Sequence, residues 1–426
     1  MTASFKDEAI LDPMPGYQRL AICRDRVLTD VFVSDASDLS PLAGAIYLAR
    51  VKEGFACHGR IRLHLGAAGE ASMRVKNTAD WPSGKLMVIT IQAEARETKP
   101  PQARAGIIRE NPFAILQSLC PEPKGVFFSR RLKQALDYHP SPDLEHMAAT
   151  LRSLSSSTKI RITLRLSAHQ AAPDQVLAHI KADLDDMEGV MTAAKAKTTP
   201  AELLQAPDLP RLCSVILPHR FTDQKIIRDF DGTFWGNADI NQQIEAALNP
   251  QFPLSNGGLL HINTPPGAAV IDGDSANSRL PPFALAQAMV TPLTTQLRLR
   301  RISGPVVIDF PRLDRPEGDR VHLDMAEAMA ADPLPPRLYG WTKGGLYTLD
   351  RPYRWRRLDA LFGHRAKAEA ITALRLAWQQ SQSGGDGKPC EIPMTKAAMT
   401  WLETEGAPVR DAVTAALLLP PRWIIL

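Results

Sequence analysis

Alternation of apolar and polar positions dominates the first quarter of the chain. Around Leu20, Ile22, Val27, Leu28, Val31 and Val33 it predicts a small hairpin over residues 19–35. From Gly44 to about residue 118, short alternating runs at 46–48, 61–65 and 86–91 are separated by Gly-rich and polar turns, which predicts a five-stranded barrel. Lys99-Pro100-Pro101 marks a loop within or after it. Residues 160–166 alternate strictly and predict a strand. Residues 173–184 place Val176, Leu177, Ile180 and Leu184 on one helical face behind a Pro start. The apolar run 212–217 reads as a further strand.

Beyond residue 252 the pattern changes. Residues 259–263 follow the Gly257-Gly258 turn, and an apolar run from Ala268 to Ile271 leads into Asp272. A helix over 282–300, kinked at Pro292, connects to a second apolar run that ends at Asp309, 37 residues after Asp272. A helix over 366–379, a Gly/Ser linker at 381–387 and a last small αβ segment complete the chain. The class is α/β, in an α+β multidomain arrangement.

With 426 residues the chain is long enough for two to four domains. Its five cysteines, Cys23, Cys57, Cys120, Cys213 and Cys390, are scattered and form no Cys-x-x-Cys pair, so neither a disulfide framework nor a zinc knuckle is supported. A reducing, cytoplasmic setting is expected. The N-terminus has no apolar leader segment and no apolar run approaches a membrane span. A net charge of +4 does not by itself indicate nucleic-acid binding. Local runs say more: Arg298, Arg300 and Arg301 precede the Asp309 strand, Arg312 and Arg315 follow it, and residues 351–357 interleave four arginines with Tyr353 and Trp355. Cations for phosphates and flat rings for unstacked bases suit single-stranded RNA, although either cluster alone reads equally as a solvated basic face.

Two strands ending in Asp are what a divalent cation wants. Mg²⁺ keeps several waters and is held by one or two carboxylates plus substrate phosphates. Neighbouring strands lie about 4.8 Å apart, so carboxylates closing two of them can share one ion. An Asp at a strand end is also a common turn former or helix cap.

The stretch 240–248, Leu254-Ser255-Asn256-Gly257-Gly258, Val270-Ile271-Asp272, residues 296–300 and Val307-Ile308-Asp309-Phe310 together resemble the catalytic core of the ribonuclease E/G family. Residues 45–51 with Gly54 resemble the start of that family's S1 domain, Ser129-Arg130-Arg131 the opening of its 5′-end sensor, and residues 341–351 its Arg-Phe-Gly-Leu-Leu-Glu-Met-Ser-Arg stretch. The resemblance implies an RNase H-like and DNase I-like catalytic core with an inserted S1 (OB-fold) β-barrel and a 5′-sensor-like region. Its implied boundaries are an RNase H-like first part at 1–40, an S1/OB-like RNA-binding domain at 41–118 and the sensor-like region at 119–211. The RNase H-like segment resumes at 212–251, followed by a DNase I-like catalytic domain at 252–362 and a small C-terminal αβ domain at 363–426.

Carried over by residue, Asp272 and Asp309 match the pair that holds catalytic Mg²⁺, with Asp274 beside them where the family has Asn. Lys343, Arg351, Arg96 and Lys99 match phosphate ligands, and Arg62, with Phe55 nearby, stands where an RNA-stacking aromatic is expected. Arg165, Ser167 and Gly125 are the 5′-phosphate sensor counterparts, displaced from the family register. Cys390 stands alone where the family has a Cys-Pro-x-Cys link, so zinc is not expected and any homo-oligomer is not joined through zinc. The implied activity is Mg²⁺-dependent endonucleolytic cleavage of single-stranded RNA in processing or decay. The alternative is a catalytically degenerate, RNA-binding or regulatory paralogue on the same scaffold. A metal-dependent phosphatase or DNA nuclease would use the Asp pair but leave the S1-like segment unexplained.

Overall fold

The computed structural model describes residues 7–55, 59–97, 99–118, 124–139, 141–217, 226–330, 332–382, 391–417, 419 and 421–425. It is a mixed α/β protein with twelve α-helices among the described residues. The chain divides into two compact units, one formed by residues 1–38 with 226–426 and the other by residues 39–225.

In the second unit the strands Ile46–Phe55, Arg60–His64, Glu70–Arg74, Gln102–Ala105 and Leu86–Ala93 close into a five-stranded barrel, because the first strand pairs with both the second and the last. Alternation buries Ile61, Leu63, Ala71, Met73, Ile89 and Ile91 inside it, as the period-two rule requires. This is the barrel expected from the sequence, and its form is consistent with an S1-like OB fold. A separate four-stranded sheet, ordered Gly125–Phe128, Arg161–Leu164, Ala114–Gln117, Ile108–Glu110, packs against the helices Pro142–Thr158 and Pro173–Lys195.

The expected strand at 212–217 is instead the C-terminal part of a helix, Leu209–Ile216. Asp208 caps it by accepting the Arg211 N–H, and Pro210 sits in its first turn. Those start signals outweigh the short apolar run.

The first unit contains two main sheets. The hairpin Tyr17–Arg24 and Val27–Asp35 joins Asp7–Asp12 and Ile226–Arg228 in a four-stranded sheet. The other sheet has six strands in the order Gln251–Pro253, Leu259–Asn263, Ala269–Asp274, Gly304–Asp309, Tyr347–Arg351, Arg337–Trp341. The third and fourth of these are parallel and are joined by the helix Pro282–Leu299, which continues as one element through Pro292. A second helix, Arg315–Met329, starts from a capping box between Asp314 and Glu317.

Both helices lie on the same face of the six-stranded sheet. Met289, Leu293, Leu297, Val321 and Met325 pack there against Leu260, Ile271, Val306 and Ile308. Each such side chain contributes about 1.5–3 kcal/mol by leaving water. The opposite face carries the exposed half of the alternation, with Val270 44% exposed.

Candidate active site on the open sheet face

Asp272 and Asp309 are register partners on adjacent parallel strands, one step beyond the Ile271–Ile308 pair. Ile271 and Ile308 point into the core, so period two turns both aspartates onto the exposed face. Strand spacing of about 4.8 Å sets the backbone separation and leaves both carboxylates aimed the same way. Neither takes part in a hydrogen bond or ion pair among the described residues. His261 is the register partner of Asp272 on the antiparallel neighbour, so His261, Asp272 and Asp309 form one row across three strands. His261 belongs to no ligand-spaced motif in the sequence. Its signal is visible only once the Leu259–Asn263 strand is placed beside Asp272.

Asp274 lies two residues farther along the same strand, opposite Leu259. Its Oδ1 accepts the Ala276 N–H at 2.9 Å in a turn where Ala276 has φ +43°. It therefore serves the turn and does not complete a three-carboxylate cluster. Among the described residues no group of three or more His, Cys, Asp or Glu is placed to hold a metal ion. Two unencumbered carboxylates fit Mg²⁺, which completes its sphere with water and phosphate oxygens; they do not make an all-protein cage.

Gly273, between the two aspartates, faces the helix side. A Cβ there would lie 1.9 Å from the Met289 Cε and 3.2 Å from the Asp309 carbonyl oxygen. Glycine lets the helix approach directly beneath the carboxylate pair.

The carboxyl ends of the two parallel strands lie at one end of the sheet, and the surrounding loops are basic. Arg279 follows the Asp272 strand, Arg312 and Arg315 follow the Asp309 strand, and all three are exposed. Lys343 is exposed in the turn of the Arg337–Trp341 and Tyr347–Arg351 hairpin, closed by Thr342 N–H to the Leu346 carbonyl at 2.8 Å. Since Ile308 pairs with Tyr347, that turn lies at the Asp309 end. Both helices also begin there, and their positive dipole ends add to the field. Ligands commonly bind outside the carboxyl ends of strands in open α/β sheets. Arg279 was missed in the sequence because it stands isolated, outside any basic run.

Other expected cations have different work. Arg351 shares the core-facing positions of its strand with Tyr347 and Leu349 and is only 2% exposed. Its Nε and Nη2 donate to Asp332 at 2.8 and 3.0 Å, and its Nη1 donates to the Ile302 carbonyl at 3.1 Å. It holds the fold together and has no face left for RNA.

Arg298 pairs with Asp30, with Nη2 2.6 Å from Oδ2, and Arg301 reaches the Arg356 carbonyl and lies over the Phe32 ring. Arg356 pairs with Asp38, Arg357 pairs with Asp359, and Trp355 packs edge-on against Phe32 at 5.2 Å. The run 351–357 is thus an internal clasp of this unit and not a base platform.

In the second unit, Arg62 is exposed on the barrel 3.5 Å from Glu70, whose carboxyl is held below its ordinary range mainly by a hydrogen bond from Lys52. Phe55 closes its strand with its backbone paired to Arg60. Arg96 and Lys99 exchange backbone hydrogen bonds across a tight turn, with Arg96 half-buried and Lys99 exposed. Cys57, His58, Cys120 and Cys390 lie outside the described residues.

The sensor counterparts are committed to the fold. The Arg165 Nη2 donates to Glu110 at 2.7 Å, and the buried Ser167 hydroxyl donates to the Pro112 carbonyl. Gly125, at φ +129°, begins a strand beside Arg161, whose guanidinium lies 3.8 Å over the Phe127 ring. The hydroxyl and guanidinium expected to receive a 5′-phosphate are therefore already bonded within the protein.

Comparison with known proteins bears on this geometry. The model of the ribonuclease E/G family matches residues 218–353, the segment that carries both aspartates and Lys343. Ribonuclease E of Nostoc sp. is 23% identical over 336 residues, covering 68% of this chain and 47% of that protein. Ribonuclease E of Synechocystis sp. is 30% identical over 131 residues, covering 29% of this chain and 19% of that protein. The chain thus spans about half the length of the first relative and about a fifth of the second. On the family match and these relatives, the segment 218–353 is similar to the ribonuclease E/G family.

Proposed function

We propose that this protein is a Mg²⁺-dependent endoribonuclease of the E/G type that cleaves single-stranded RNA in processing or decay. The observation that carries the reading is the register pairing of Asp272 with Asp309 on the open sheet face, beneath a basic rim. These two carboxylates would hold the ion, which supplies Lewis-acid polarisation of the phosphodiester and a lowered pKa for attacking water. Arg279, Arg312, Arg315 and Lys343 attract and orient the RNA backbone across the carboxylate row. On the barrel unit, Arg62 and Lys99 are RNA ligands in their own right, the guanidinium of Arg62 stacking where an aromatic would otherwise stand. The RNase H-like and DNase I-like identities of the first unit, and the sensor-like identity of residues 119–211, belong to the same proposal.

Because Ser167 and Arg165 are engaged internally, discrimination between RNA ends is weak. The test is cleavage of an AU-rich single-stranded RNA carrying a 5′-monophosphate or a 5′-hydroxyl, with Mg²⁺ or EDTA. The expected result is Mg²⁺-dependent cutting at similar rates for the two ends. RNA binding without cutting would instead establish the degenerate RNA-binding paralogue, for which Asp274 in place of Asn is the favouring observation.

A further inference from the structure

A cavity of 210 Å³ lies in the unit formed by residues 1–38 and 226–426, lined in part by Asn263, Thr264, Arg300, Ile302, Arg357 and Asp359. It sits at the amino-terminal end of the parallel strands, since Asn263 pairs with Val270 and Ile302 precedes the Gly304–Asp309 strand. The strand rise of about 3.3 Å per residue separates Ile302 from Asp309 by roughly 20 Å, so a molecule held here does not touch the carboxylate pair.

Arg300 is the unusual member. It is 8% exposed, and its Nε and Nη1 donate only to neutral groups, the Gln296 Oε1 at 2.8 Å and the Asn249 carbonyl at 2.7 Å. Its Nη2 is buried and has no hydrogen-bond partner. By contrast, Arg298 and Arg351, buried in the same unit, are each matched by a carboxylate, Asp30 and Asp332. A buried guanidinium left without counter-charge is costly, and burial alone pulls this one down to about 10. Arg357 adds a second cation to the wall. Its charge is already met by Asp359, and its Nη1 reaches the Thr264 carbonyl at 3.4 Å. The lining therefore carries one uncompensated positive charge. The volume is below the roughly 300 Å³ at which ordinary small-molecule pockets begin, and suits a phosphate group more than a whole nucleotide.

We propose that this cavity binds a phosphate group, with Arg300 as its principal cationic ligand. The site is separate from the aspartate pair and does not depend on the nuclease reading. The test is calorimetric titration of full-length Asp309→Asn protein at fixed ionic strength with three probes: inorganic phosphate, uridine monophosphate and a five-nucleotide oligouridylate. The expected result is saturable binding of one equivalent, weakened at least tenfold by Arg300→Gln and by Thr264→Phe, which narrows the cavity and leaves Arg300 in place. Should Arg300→Gln fail to fold, Thr264→Phe and an anomalous peak beside Arg300 in tungstate-soaked crystals carry the test. Saturation by phosphate and the mononucleotide identifies a free small anion as the ligand. Saturation by the oligonucleotide alone, with the same sensitivity, identifies a phosphate within an RNA chain. No saturable binding, or binding unchanged in the variants, overturns the proposal.

Discussion

Asp272 and Asp309, 37 residues apart in the chain, are direct register partners on neighbouring parallel strands and face the same open side of the sheet. The crossover helix Pro282–Leu299 makes the strands parallel, and parallel pairing brings both carboxyl ends to one edge. Two like charges at strand spacing repel, and a shared cation relieves that repulsion. Replacing Asp272 with Asn should therefore leave thermal stability unchanged or slightly raised without metal, while lowering cleavage about 10³-fold or more. A differential scan beside a cleavage time course checks both halves, and a large loss of stability would speak against a pair held apart only by the sheet.

Lys343 and Arg351 were one class in the sequence and are two in the structure. Lys343→Ala should change stability by no more than about 0.5 kcal/mol and reduce the slope of log affinity against log salt by about 0.7 for single-stranded RNA. Arg351→Met, which strands Asp332 in the core, should cost about 3–5 kcal/mol in urea unfolding with no change in salt slope for the folded fraction. The reverse pattern would return Arg351 to the RNA surface.

Much of the fold was legible because period-two alternation survives along whole strands. The barrel and the first hairpin follow from it, while the two Asp strands were legible as apolar runs and the connecting helix as the longer segment between them. What failed were the arginines. Nothing near Arg298 or Arg351 in the sequence reveals that Asp30 and Asp332 meet them, since one partner is 268 residues away and the other follows a separate turn. The alternation Tyr347, Leu349, Arg351 did carry a signal, because it assigns Arg351 to the buried face; the basic run around it hid that. Residues 212–217 failed for a related reason, in that a six-residue apolar run has no distinct period, and the capping Asp208 and Pro210 were the better guide.

Gly273 tests how closely the helix supports the site. Gly273→Ala forces Met289 aside and presses on the Asp309 carbonyl, and should cost about 1–3 kcal/mol. Activity should fall more than the folded fraction does, which Met289→Ala in the same chain should partly restore by making room. Chemical denaturation alongside initial rates separates the two effects.

Cys23 gives a pH prediction. It is 1% exposed, and burial, reinforced by Glu8 and Asp30, pushes its thiol from 9.0 up to about 12. A folded value above the unfolded one contributes stability fully present below pH 9 and lost as the pH rises towards 12. Cys23→Ala should flatten that alkaline limb while lowering stability at pH 7 only modestly. In the native protein at pH 8 the thiol should resist iodoacetamide until the chain unfolds, and rapid alkylation under native conditions would contradict the burial argument.

The most direct test of the aspartate pair is Mn²⁺ binding followed by electron paramagnetic resonance, as a reporter for Mg²⁺, in the intact protein and in Asp272→Asn and Asp309→Asn. One bound ion per chain, displaced by Mg²⁺ and lost in each variant while both still bind RNA, is the predicted result. Mn²⁺ binding that survives in both variants would show that the two carboxylates are not the metal site.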